Sequence, residues 1–384
     1  MSEKIKVNLL TNYVGDTQYS MLSYAAQLEE SLRLYFADSC QTAVFTPMET
    51  GFNRIMGRNR IVRKMDTYWN RFLKHPLIAR TISGGINHIT DHNNSYLIRY
   101  LDPRRTVVTC HDLIYFRIPD KEGVKKSWLS LQHIIRKYTV SGLRKAAKII
   151  ADSENTKKDI IELFSMSSDR IKVVHPGIRS CFYKIKDRDI LSRERKRLHF
   201  DWDKTILHVG ENLYYKNIEA VLYTLKILHE EGGKEIHFVK VGKDFTPEQK
   251  DLIQNLKIEN YVHYLGNLGD EDLNLAYNLS DVLVSPSLYE GFGWPPLESM
   301  ACGTPVVCSD KGSLKEIVGD ASLIVEPCNY EEIAEAVSFL FSNTEARQDK
   351  ILQGFENIKR FDWKKTAEAF FQVYREIWER VKNG

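Results

Sequence analysis

The sequence predicts an α/β protein made of two doubly wound, Rossmann-like domains. Short apolar runs alternate with longer amphipathic segments along the whole chain, the pattern of parallel strands covered by helices. Several runs, such as Asp281-Val-Leu-Val-Ser285, are apolar almost without interruption, as expected of strands buried on both faces. At 384 residues the chain is also too long for one ordinary core, and two domains are the expectation.

In chain order, the first half offers strands at 5–10, 42–46, 86–90, 106–110, 149–152 and 171–174, with helices at 17–36 and 125–147. The second half offers strands at 205–210, 236–241, 262–265, 282–285, 305–309 and 322–325. Its helices are placed at 217–231, 270–279 and 331–343. The boundary is expected near His175-Pro-Gly-Ile178, giving domains 1–178 and 179–362. An amphipathic helix over 363–382 has more apolar surface than a tail needs, and packs across both domains or on one of them.

Charge supports the division. Residues 1–178 carry 27 Lys and Arg against 17 Asp and Glu, whereas residues 179–384 carry 27 against 34, so the halves face different partners. No run approaches the ~18 apolar residues of a membrane span, and the N-terminus lacks the apolar core of an export signal. Six scattered cysteines form no CxxC pair, so buried free thiols and a cytoplasmic location are expected rather than disulfides or zinc.

The strongest motif is Glu290-Gly-Phe-Gly-Trp-Pro-Pro-Leu-Glu298, set between the 282–285 strand and a short helix beginning at Pro296 and ending before Gly303. A strand, tight turn and helix N-terminus direct backbone N–H groups and a positive dipole end at an anion, so a phosphate-bearing ligand is expected. Because proline has no N–H, the available donors are Gly291, Phe292, Gly293 and Trp294. Two carboxylates beside a phosphate need another purpose. Glu298 suits the vicinal hydroxyls of a ribose, and Glu290 a second polyol. The bland alternative is a capping acid and a surface glutamate.

Lys216, in Val209-Gly-Glu-Asn-Leu-Tyr-Tyr-Lys-Asn217, stands where a mobile cation would meet a diphosphate, or else is a solvated lysine at a helix boundary. His111, at the end of the 106–110 strand, is placed to meet a sugar hydroxyl or an acceptor; the alternative is a histidine satisfied by backbone. His88 and His92 read as structural. Asp201-Trp-Asp203 imitates a metal-holding DxD motif but precedes its strand, at the wrong edge of the sheet, so it reads as a solvated turn. Residues 51–80 hold eight basic side chains against one acid, Asp66, interleaved with aromatics. That composition fits an anionic membrane surface or a plain exposed insertion. No nucleic-acid partner is expected.

The second half resembles glycosyltransferase family 4, retaining nucleotide-sugar enzymes of GT-B fold with two domains facing across a cleft. The resemblance runs in order through Val209-Gly210, Lys216-Asn217, Tyr264-Leu-Gly-Asn-Leu268, Val284-Ser-Pro-Ser287, Glu290 to Glu298, Met300-Ala-Cys-Gly-Thr-Pro-Val-Val307 and Gly312-Ser-Leu-Lys-Glu-Ile-Val-Gly-Asp-Ala321. The first half is similar at His111-Asp-Leu113, Asp152-Ser153 and Val174-His-Pro-Gly177, most like mannosyltransferases of O-antigen and polysaccharide assembly. The resemblance implies that Glu298 binds ribose, Glu290 the transferred sugar and Lys216 the diphosphate. It further implies that the amides of Phe292, Gly293 and Trp294 meet phosphate or sugar, that Gly15 approaches the donor and that His111 lies near the sugar 6-hydroxyl. Two departures stand out: Tyr215 where relatives often carry arginine, and a first-domain loop reduced to Val14-Gly15-Asp16.

The expected activity is hexosyl transfer with retention, without cofactor or metal, using Glu290, His111 and Lys216. The donor is GDP-mannose, with UDP- and dTDP-sugars as alternatives, and the acceptor a saccharide or lipid-linked saccharide at the inner face of the cytoplasmic membrane. A GT-B epimerase, hydrolase or phosphorylase, and a non-enzymatic sugar-binding protein, are the competing readings.

Overall fold

A computed structural model describes residues 3–15, 19–48, 60–118, 131–198, 200, 202–233 and 235–383. Among them the chain forms two compact units, residues 1–177 with 362–384 and residues 178–361. The division falls between Gly177 and Ile178, one residue before the boundary expected from sequence.

The first unit holds one six-stranded parallel sheet in the order β2-β1-β3-β4-β5-β6. Its strands are β1 (Ile5–Leu10), β2 (Cys40–Phe45), β3 (Ile86–Ile89), β4 (Thr106–Cys110), β5 (Lys148–Ala151) and β6 (Ile171–Val173). Strands β3 and β4 are buried at every position, and the polar Asn87 and His88 of β3 are accommodated there by hydrogen bonds to Asn8 and Thr109. The core on one face joins Leu10, Ile89, Val108 and Ile149 to Tyr96, Leu97 and Leu143. The 125–147 helix is shorter than expected: Leu131–Thr139 is helical, Leu143–Lys145 is a 3-10 turn, and 125–130 lie outside the described residues.

The helix Trp363–Lys382 belongs to this first unit, packing on the helix Tyr19–Tyr35 and on β1 and β3. Tyr374 reaches His88 Nδ1 at 2.7 Å while His88 Nε2 meets Thr109 Oγ1 at 2.8 Å, so this buried histidine ties the helix to the sheet. That is the structural role the sequence assigned to it.

The second unit holds the other sheet, β12-β11-β10-β7-β8-β9, again all parallel. The strands are β7 (Lys204–Gly210), β8 (Ile236–Gly242), β9 (Val262–Tyr264), β10 (Val282–Ser285), β11 (Val306–Ser309) and β12 (Ser322–Val325). Read from β9, the order is that of a dinucleotide-binding doubly wound sheet. Apolar clusters lie on both faces, one around Leu207, Val239, Leu283 and Val306, the other around Ile206, Phe238, Val284 and Val307. Of the cysteines, Cys40, Cys110, Cys302 and Cys308 are buried as expected, but Cys328 is exposed; all six are free.

Candidate functional site

Doubly wound sheets bind ligands beyond the carboxyl ends of their strands, where the winding direction reverses. In the second unit that reversal falls between β7 and β10, which pair side by side. The loop after β7 ends in a 3-10 turn, Tyr214–Lys216, and Asn217 then takes a left-handed conformation before the helix Ile218–Glu230. Lys216 therefore stands just ahead of this helix rather than on it. The loop after β10 carries Glu290 and runs into the helix Trp294–Ala301. Leu288 N–H donates to the Tyr215 carbonyl at 2.7 Å, joining the two loops.

Across this junction Lys216 Nζ donates to Glu290 Oε1 at 2.6 Å, and Ser287 Oγ donates to the same oxygen at 2.8 Å. Both charged side chains are largely buried, at 14% and 10% exposed. Glu290 is thus no solvated surface acid. The turn is held from behind by Ser313, whose N–H donates to the Glu290 carbonyl at 3.0 Å and whose Oγ donates to the Phe292 carbonyl at 2.8 Å. Gly312 makes that approach workable: a Cβ on it would fall 2.3 Å from the Glu290 carbonyl oxygen.

The helix begins at Trp294, two residues earlier than expected, with Gly293 at φ 110° before it and Pro295 and Pro296 inside its first turn. Proline is tolerated there because first-turn N–H groups lack intrahelical partners. The Phe292 side chain is core, packed edge-on against Trp294 and Phe361. Gly210 ends β7, and a Cβ added to it would lie in ordinary contact with the Lys216 methylenes, at 3.7 and 3.9 Å.

Glu298 is the fifth helical residue rather than a first-turn one, and it is buried. Its Oε2 accepts from Tyr277 at 2.8 Å and its Oε1 from Arg179 Nη2 at 3.3 Å. Burial pushes the Glu298 carboxyl up from its ordinary range, against Arg179 and the Tyr277 hydrogen bond, which favour its charge. Sequence reasoning missed Arg179 and Tyr277: the first stood at an expected boundary and the second inside a helix, 119 and 21 positions away.

The remaining candidates belong to the first unit. Gly15 sits in the turn after β1, while Asp16 lies outside the described residues. His111 follows β4 and is buried, with Nδ1 at 2.6 Å from Asp152 and Nε2 at 2.8 Å from the Thr90 carbonyl. Burial opposes its charge, but Asp152 outweighs that and the imidazole goes up to about 9. Both nitrogens are engaged within the protein, so meeting a sugar hydroxyl would require Nε2–H to exchange the Thr90 carbonyl for it. Asp203 does precede β7, at the edge away from the site; Asp201 lies outside the described residues.

Family models match in both halves: Glycosyltransferase Family 4 over residues 39–180 and Glycosyl transferases group 1 over residues 191–356. The O-antigen chain mannosyltransferase B of Escherichia coli is 29% identical over 287 residues, covering 73% of this chain and 72% of that one. Among solved structures, sucrose-phosphate synthase from Thermosynechococcus elongatus covers 98% of this chain and all of its own, with a TM-score of 0.76 at 18% identity. Anabaena HepE, crystallised with UDP-glucose, covers 99% of this chain and all of its own, with a TM-score of 0.68 at 18% identity. The fold and the matched domains are those of a GT-B glycosyltransferase. Within that class, the chain belongs to glycosyltransferase family 4.

Proposed function

We propose that the protein transfers a mannosyl residue, with retention and without a metal, from GDP-mannose to a saccharide or lipid-linked saccharide. The observation that carries this reading is the Lys216–Glu290 pair at the reversal point of the second sheet, beside the N-terminal end of Trp294–Ala301. A diphosphate entering there would take over Lys216, freeing Glu290 to accept from sugar hydroxyls. Glu298 would accept from the ribose. With both glutamates binding, the incoming hydroxyl would lose its proton to the leaving phosphate as the new C1–O bond forms and the old one breaks. Lys216 and the helix dipole would stabilise the charge developing on that phosphate.

The mannosyl choice follows the name of the Escherichia coli relative. A UDP-sugar is the second reading, favoured by the UDP-glucose bound to the structurally similar HepE. Thermal unfolding with GDP-mannose, UDP-glucose and dTDP-rhamnose separates them, because a ligand that binds the fold raises apparent stability. The correct donor should shift the transition by several degrees and, by NMR, yield an α-linked product. Free sugar as product would favour a hydrolase, and activity lost in EDTA and restored by manganese would count against the metal-free scheme.

Docking on an anionic membrane face is part of the proposal. Met65, Tyr68, Trp69, Leu73 and Leu77 are exposed along 60–80, whereas Asp66, the one acid of 51–80, is buried against the Tyr13 hydroxyl. Residues 51–59 lie outside the described residues. No helix among the described residues is long and apolar enough to cross a membrane. Flotation with vesicles containing phosphatidylglycerol, but not with neutral ones, is expected.

A further inference from the structure

Arg179 is the second residue of the second unit, and its guanidinium is shared between two acids. Nη1 donates to Asp270 Oδ1 at 2.6 Å and Nη2 to Glu298 Oε1 at 3.3 Å, with the group 4.7 Å from the Phe182 ring centre. Neither the motif reading nor the proposed mechanism uses it. Asp270 opens the helix Asp270–Leu279, which also supplies Tyr277, so helix, linker and Glu298 meet at one charge cluster.

The cluster has a clear imbalance without the arginine. Without it, the Glu298 and Asp270 carboxylates lose the cation they share beside a buried tyrosine, while the nearby Cys181 and Cys302 thiols, both pushed up by burial, stay neutral. A buried carboxyl with no cation takes up a proton. Protonated Glu298 would present one O–H donor and one good acceptor, whereas a vicinal diol is best met by a carboxylate accepting at both oxygens.

We propose that Arg179 is a positioning residue for the nucleotide: it holds Glu298 ionised and oriented so that the carboxylate can accept from the two ribose hydroxyls. Asp270 opposes it by claiming the other half of the guanidinium. The inference rests on the reading of Glu298 as the ribose acceptor, and the test separates the two.

Calorimetric titration with GDP and with UDP, from pH 5.5 to 8.5, supplies the measurement, using the full chain and whichever nucleotide binds. In Arg179→Met, affinity at pH 7 should fall about tenfold, the scale of one lost hydrogen bond to a charged group. The loss should shrink as pH rises, because alkali restores the Glu298 anion, and it should be smaller for the 2′-deoxy nucleotide. Turnover at saturating donor should change less than twofold. Arg179→Lys should recover part of the affinity, one ammonium replacing one of two single contacts. Asp270→Asn should act in the opposite sense, moving the acid limb of binding to lower pH, and it serves if Arg179→Met does not fold. A wild-type pH profile in both Arg179→Met and Asp270→Asn, with Glu298→Gln still impaired, would overturn the inference and leave the ribose reading standing. Normal binding by Glu298→Gln would overturn that reading itself.

Discussion

Lys216 and Glu290 are 74 positions apart, yet their side chains meet at 2.6 Å because their loops leave adjacent strands at the same edge. The pair is also a competition. A diphosphate offers Lys216 more negative charge than one carboxylate, so binding would redistribute an existing contact rather than fill an idle one. Lys216→Ala should therefore lower turnover about 10²-fold, the scale of a lost transition-state donor, with smaller change in donor KM. Unchanged kinetics would mean the charge developing on the leaving group is met elsewhere. Single residues were legible in the sequence as types and edges: a lysine after β7, two glutamates around a turn. Their partners were not. Nothing in the spacing of Arg179 or Asp152 announces that it sits against Glu298 or His111, since those contacts exist only once the sheets are wound.

At the scale of elements, the twelve strands among the described residues were all readable, most plainly β10 and β11, whose burial at every position leaves an apolar run, and least plainly β2 and β9, which are only partly buried. Helix starts were less so. The helix Trp294–Ala301 begins one residue before its prolines rather than at them, since its first residue, Trp294, carries no special start signal. The device that shapes this turn lies in a different element. Gly312, at φ 65°, lets the segment before Leu314–Val318 press on the Glu290 backbone, and a methyl group there would fall within 2.6 Å of both its nitrogen and its oxygen. Gly312→Ala is therefore expected to push the 290–293 turn away from Ser313. It should cost about 2 kcal/mol or more of stability, as strained or overpacked positions do. Donor affinity should fall with it. A variant unfolding at the parent's denaturant midpoint would show that the turn yields without resistance.

Across the whole molecule, the two units should answer alkali in opposite directions. His111 is held protonated in the fold up to about 9, against 6.5 for an ordinary imidazole. Such a group stabilises the first unit fully below pH 6.5 and loses that contribution as pH rises towards 9, about 3 kcal/mol at the limit. Lys240, wholly buried in β8, donates to the Lys243 carbonyl and, at 3.5 Å, to that of Gly210. Burial brings it down to about 8 from 10.5, so the second unit carries the cost of an enclosed ammonium below pH 8 and sheds it as pH rises through 8 to 10.5. Calorimetric unfolding of Asp152→Asn and Lys240→Met, each compared with the parent at every pH from 6 to 9, isolates the two groups because shared titrations cancel. The parent should lose its advantage over Asp152→Asn between pH 6.5 and 9. Against Lys240→Met it should gain about 1 kcal/mol between pH 8 and 9. A parallel offset across the range for either variant would mean that the group titrates alike in the folded and unfolded chain, and that its burial is relieved by water reaching it.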